Sequence, residues 1–181
     1  MNISKKNRSV YYRLSRISYF ITKVKLKFLY NDCITVGKNF KAKGLDFQLH
    51  PENSQITFGD NIQIREDAVF RLGKNSKIEI GNGFFANKGM SLNAMGSISI
   101  GENTIFGEDV KLYDHNHGYK DTLTPIKDQP YSIGTVEIGS NCWIGSNVVI
   151  LKNVKIGNDC IIGANCLVFK DVNDGEIIKA K

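Results

Sequence analysis

From Ile138 onward, apolar residues recur every six positions: Ile138, Ile144, Ile150, Ile156, Ile162 and Val168. Four residues after each stands a second small or β-branched residue, in order Cys142, Val148, Val154, Cys160, Cys166 and Val172. A helix would repeat every 3.6 residues and a lone strand every two, so neither generates a period of six. A short strand and a turn in every hexad does, and three hexads close a triangular coil of about 18 residues. In each strand, as in Cys142-Trp143-Ile144, pleating sends the outer two side chains inward and the middle one outward.

Upstream the pattern loosens but persists, with "VGKN" at 36, "FGDN" at 58, "IGNG" at 80, "IGEN" at 100, "IGSN" at 138 and "IGND" at 156. The steps of 22, 22, 20, 38 and 18 place insertions at the turns, the largest, of about 20 residues, lying between Leu112 and Ile138. The 17 glycines against 3 prolines then follow from tight corners, where a residue without Cβ takes φ > 0 or lets neighbouring coils approach.

A long insertion in an otherwise tight coil points to function. This one opens with "YDHNHGY", Tyr113 to Tyr119, which holds two of the three histidines. A zinc site needs three protein ligands; His115, His117 and Asp114 could share a face, but the third imidazole, His50, is far away in the repeat order. General-base chemistry needs one imidazole, held by a partner beside a cleft, and "DHNH" supplies that. Cys142, Cys160 and Cys166 occupy the inward small-residue slot, and zinc spacing is absent, so they read as buried packing and no metal is expected.

The motifs taken together resemble the hexapeptide acyltransferases from about Val36 to Val172, in particular the sugar O-acetyltransferase branch. That resemblance implies an all-β fold, a left-handed parallel β-helix of hexapeptide repeats with a protruding loop at about 113–133. It implies acetyl-CoA as acyl donor, a sugar hydroxyl as acceptor, and a homotrimer whose active sites lie in the grooves between adjacent coils. His115 matches the catalytic histidine, supported by "YSIGTVEIGSNCWIGSNVVI" downstream. On the acceptor side, Asn87 in "FFAN" matches the asparagine of "YAN", with Asp114 and His117 beside the base. On the coenzyme side, the family pattern places outward-facing Trp143, Ser146 after "WIG", Ala164 within "IIGANC" and Lys170 in "VFKD". Two stretches depart from it: Phe85 stands where some relatives carry tyrosine, and "DGEIIKAK" stands where others run into "G-x-P-A-K/R".

The net charge of +6 is concentrated at the start, since residues 1–30 carry eight Lys or Arg and no acid. The rest holds 16 basic against 18 acidic side chains, which argues against a nucleic-acid groove. Val10, Leu14, Ile17, Ile21, Val24 and Phe28 step by four and three, predicting a basic amphipathic helix over 1–32. Its stripe suits docking on the β-helix or its symmetry mates, and its cations suit peripheral contact with an anionic membrane surface. Lys23, Lys25 and Lys27 interrupt any signal-peptide core, and four cysteines without one suggest reduced thiols in the cytoplasm.

The expected organisation is a helix over 1–32, a β-helical domain over 33–173 and a short tail over 174–181. The expected function is acetyl transfer from acetyl-CoA to a sugar hydroxyl, in capsule, O-antigen or other surface polysaccharide synthesis. Competing readings are N-acetylation of an amino nucleotide sugar, a zinc enzyme of the carbonic anhydrase kind, and a non-catalytic scaffold.

Overall fold

In the computed structural model the described residues are Thr22, Val24 and 32–180. The predicted basic helix lies outside them, apart from Thr22 and Val24, which are helical, and Asp32.

Three parallel sheets form the walls of a prism, and the chain visits them in rotation. The first contains Ile34–Val36, Gln55–Phe58, Lys77–Ile80, Ser97–Ile100, Thr135–Ile138 and Val154–Ile156. The second contains Lys41–Ala42, Gln63–Ile64, Phe85–Ala86, Ile105–Phe106, Trp143–Ile144, Ile161–Ile162 and Ile177–Ile178. The third contains Leu45–Leu49, Ala68–Leu72, Ser91–Ala94, Lys111–Tyr113, Val149–Ile150 and Leu167–Val168. One pass through the three makes a coil, and the fold is the left-handed parallel β-helix that the family resemblance implies. Its register reproduces the sequence steps, because Val36, Phe58, Ile80, Ile100, Ile138 and Ile156 pair in succession. The segment read as a tail joins this wall: Ile177 and Ile178 pair with Ile161 and Ile162, so the second sheet continues past residue 173.

Alternation along each short strand fills the prism. Cys142 and Ile144 are buried while Trp143 between them is 53% exposed, and the same in-out-in order recurs at Cys160-Ile161-Ile162 and Cys166-Leu167-Val168. Phe40, Phe58, Phe70, Phe84 and Phe106 fill the interior of the first four coils, with Phe84 and Phe106 edge-to-face at 5.0 Å. Backbone donors are satisfied one coil onward, as in Gly101 N–H to Ile138 O and Gly139 N–H to Ile156 O, both 2.8 Å.

The corners divide the work that glycine was expected to do alone. Among the described residues every non-glycine residue with positive φ, from 53° to 62°, is Asn or Asp, including Asn103, Asn141, Asn147 and Asn165. Their short polar side chains tolerate the left-handed region. The glycine two residues before Asn103 or Asn141 serves close approach instead: a Cβ on Gly101 would stand 2.5 Å from the carbonyl carbon of Gly139.

Candidate active site

The 38-residue step is a loop that leaves the third sheet after Lys111–Tyr113 and returns to the first at Thr135–Ile138. Its two arms form an antiparallel ribbon, His115 opposite Ile133 and Asn116 opposite Ser132. Continuing that register sets His117 against Tyr131, and beyond it Gly118 N–H donates to Pro130 O at 3.0 Å. A Cβ on Gly118 would lie 2.6 Å from that carbonyl oxygen, so the close crossing of the arms requires glycine.

Asp114 anchors the loop to the prism. Its side chain is 0% exposed, Oδ1 accepts the Met95 N–H and Oδ2 the Gly96 N–H, both at 2.8 Å, and Oδ1 also lies 3.0 Å from His115 Nδ1. Burial and these three contacts tie the Asp114 carboxylate to the root of the loop and to His115. The same contacts set the state of His115. A carboxylate can only accept here, so Nδ1 carries the hydrogen and the Nε2 lone pair points away from the carboxylate. The His115 side chain is 17% exposed, and the Tyr131 ring meets it edge-on at 5.2 Å while lying 4.6 Å from the His117 ring.

The other predicted residues fall at two different corners. Lys170 follows the third sheet two coils beyond His115, on the same corner. Asn87, Ser146 and Ala164 lie on the corner between the second and third sheets, and Trp143 is on the outer face of the second. At about 3.3 Å per residue, the stretch from Ser146 to Leu151 separates these corners by about 16 Å. A single chain thus does not bring His115 together with Ser146 and Trp143. Each also has a local partner: Ser146 Oγ accepts the Glu108 N–H at 3.1 Å, and Asn87 Oδ1 accepts the Lys88 N–H at 3.0 Å and lies 3.4 Å from Arg65 Nη1. Lys170 Nζ lies 5.7 Å from the exposed Phe169 ring.

The outer face of the second sheet is an apolar ridge. Phe85, Ile105, Trp143, Ile161 and Ile177 pair in register, one above the other, and Ile105, Trp143 and Ile177 are exposed.

His50 sits on the His115 corner three coils earlier, about 14 Å away at about 4.8 Å per coil, and its Nδ1 accepts the Glu52 N–H. Among the described residues no three His, Cys, Asp or Glu side chains lie close enough to hold a metal ion. Cys142 and Cys160 are buried with Sγ against Gly157 O and Asn173 O, and burial raises the Cys142 pKa.

Sequence reasoning missed Tyr131, Gln129 and Asn93. Tyr131 becomes legible only once the ribbon register is known. Gln129 is a buried amide that accepts the Asp121 N–H and donates to the Asp121 and Thr124 carbonyls, pinning the loop from inside. Asn93, next to Tyr113 in register and 6% exposed, donates to Ser91 Oγ and Leu112 O, and strand alternation gave no sign that an outward asparagine would be covered.

Residues 135–170, the fifth and sixth coils, match the family described as Bacterial transferase hexapeptide (six repeats). That match is confined to those two coils. The chain is 34% identical over 94 residues to the galactoside O-acetyltransferase of Escherichia coli, covering 52% of this chain and 44% of that one. Over 119 residues it is 29% identical to a Mycobacterium tuberculosis protein described as a probable acetyltransferase, covering 66% and 39%. The chain thus spans less than half the length of these curated relatives. Among solved structures it superposes on AntD, an N-acyltransferase from Bacillus cereus in complex with dTDP and 3-hydroxybutyryl-CoA, with a TM-score of 0.71. That pair is 21% identical over 90% of this chain and 85% of the other, a likeness of fold.

Proposed function

We propose that this protein transfers an acetyl group from acetyl-CoA to a sugar hydroxyl, with His115 as general base. The observation that carries the reading is the buried Asp114 carboxylate, which holds His115 Nδ1–H and leaves Nε2 as the proton acceptor on a loop projecting from the coil. Nε2 takes the hydroxyl proton as the oxygen attacks the thioester carbonyl carbon; the C–S bond then breaks, and the imidazolium returns the proton to the departing thiolate. A sugar hydroxyl is too weakly acidic to ionise alone near neutrality, so a positioned base supplies roughly 10² to 10⁴ in rate.

The active unit is a homotrimer. His115 and Lys170 on one corner face a groove whose other wall is the partner's second sheet, with Trp143, Ser146 and Ala164. The exposed ridge through Trp143 favours that pairing, since an aligned apolar column is the surface a second copy or the coenzyme would cover. Ser146 and Ala164 stand near the thioester and pantetheine, Lys170 near the nucleotide phosphates, and Asn87 and His117 contribute to acceptor binding. Surface polysaccharide precursors are the acceptors, met at or near the cytoplasmic membrane face through the basic residues 1–30. The galactoside O-acetyltransferase relative favours oxygen, while the N-acyltransferase fold neighbour keeps transfer to nitrogen as second reading.

Thiol release from acetyl-CoA across a panel of sugar acceptors tests the activity, and mass spectrometry of products from paired hydroxyl and amine acceptors assigns the atom. His115→Ala is expected to lose at least about 10² in turnover with its assembly unchanged. Full activity in that variant removes His115 as the base.

A further inference from the structure

We infer that Tyr131 is a positioning residue for the base: its ring fixes the direction in which His115 Nε2 points. The inference rests on the function proposed above and assigns to that reaction a residue from the opposite arm of the loop.

The ribbon's register gathers the side chains concerned. His115 is opposite Ile133 and Asn116 opposite Ser132, so the next pair outward is His117 with Tyr131. Successive side chains of a strand alternate between faces, which leaves His115, His117, Tyr131 and Ile133 on the same one. Tyr131 is the direct neighbour of His117 and the diagonal neighbour of His115, a span within reach of an aromatic ring. Its centroid lies 4.6 Å from that of His117, tilted at 46°, and 5.2 Å from that of His115, at 90°.

The base needs such a contact. The hydrogen bond from His115 Nδ1 to Asp114 Oδ1, 3.0 Å long, pins one corner of the imidazole. The ring can still tilt about that point, and Nε2, on the far side, then moves most. A displacement of about 1 Å in a reacting group costs about 10² in rate. A second ring at right angles limits the tilt, and perpendicular pairing is a favoured aromatic geometry.

Tyr131 is itself held in place. Just before it, Gly118 N–H donates to Pro130 O at 3.0 Å, and the buried Gln129 bonds Asp121 and Thr124 inside the loop. On the other side Ile133, the strand partner of His115, packs on Gly96, where a Cβ would stand 2.8 Å from Ile133 Cγ2. Gly96 N–H is one of the two donors that hold Asp114, so both arms and the coil below frame one imidazole. Tyr131 is 43% exposed and contributes little to the core. The cavity of about 680 Å³ that the loop encloses is lined by other residues, among them Gln129 and Lys152, so a change at Tyr131 leaves that space standing.

The test follows the His115 ring by NMR relaxation in the full-length protein with ¹³C-labelled histidine, beside steady-state transfer kinetics, for the native chain, Tyr131→Leu and Tyr131→Phe. His115→Ala identifies the signal by its loss. Tyr131→Leu is expected to lower the order parameter of the His115 ring and to cut kcat about tenfold or more, with KM for acetyl-CoA within about twofold and the melting temperature unchanged. Tyr131→Phe, which keeps the ring, should restore both readouts. An unchanged order parameter in Tyr131→Leu, an unchanged kcat despite a looser ring, or a Tyr131→Phe protein as impaired as Tyr131→Leu overturns the inference. If the native chain transfers acetyl to no acceptor, the acetyltransferase reading falls, while the hold of Tyr131 on His115 stands or falls by the order parameter.

Discussion

Asp114 carries three interactions on two oxygens, and each serves a different scale of the molecule. The bonds to Met95 and Gly96 close a corner of the coil below, and the bond to His115 fixes a tautomer. Asp114→Asn separates these roles. An amide has one acceptor oxygen, so in either orientation its NH₂ faces one of the two backbone N–H groups, and with the NH₂ at the Oδ1 position it donates to Nδ1 and puts the hydrogen on Nε2, where it blocks base catalysis. Turnover should fall by about 10²-fold or more with KM for acetyl-CoA little changed, and steady-state kinetics beside a thermal melt would check it. A loss of activity no larger than the loss of folded protein would reduce Asp114 to a structural cap.

At the scale of the element, the coil is limited by how closely one corner lies on the next. Gly101 has ordinary φ, yet its missing side chain faces the backbone of Gly139 and Ser140, which cannot swing aside as a side chain could. Gly101→Ala should therefore destabilise by about 2 kcal/mol or more, within the range for overpacked cores, whereas Ser99→Ala on the outer face of the same strand should be nearly neutral. Chemical denaturation of the two variants would check the contrast, and equal stability would mean that the coils can separate locally. The inserted loop follows a different rule. It has an antiparallel ribbon, a buried glutamine and a carboxylate root of its own, so it interrupts the solenoid without disturbing the register on either side.

At the scale of the whole molecule, the candidate site is divided. His115 and Lys170 share one corner, while Ser146, Ala164 and Asn87 share another about 16 Å away, so the proposed reaction needs two copies. Trp143 and its column of apolar neighbours supply the natural contact. Trp143→Glu places a charge in that column and should convert the proposed trimer to monomer in sedimentation, with transfer activity lost and the far-UV spectrum retained. A Trp143→Glu protein that remains trimeric would move the interface elsewhere on the prism.

The amino-acid sequence by itself determined the coil, its register and the place of the loop. A period of six fixes which side chains face inward, and a parallel β-helix has no freedom to pair those strands in another order once the inward face must be dry. It also marked His115, because an imidazole beside an aspartate at the mouth of a long insertion is a local signal. Tertiary structure alone decided what is made of distant residues. Only the folded loop put Tyr131 against both histidines, and Gln129 and Lys152 around one cavity. Only the coil below, with the Met95 and Gly96 N–H groups, fixed the buried Asp114 carboxylate at the root of the loop. Such contacts depend on where the chain returns after many residues, which no local period records.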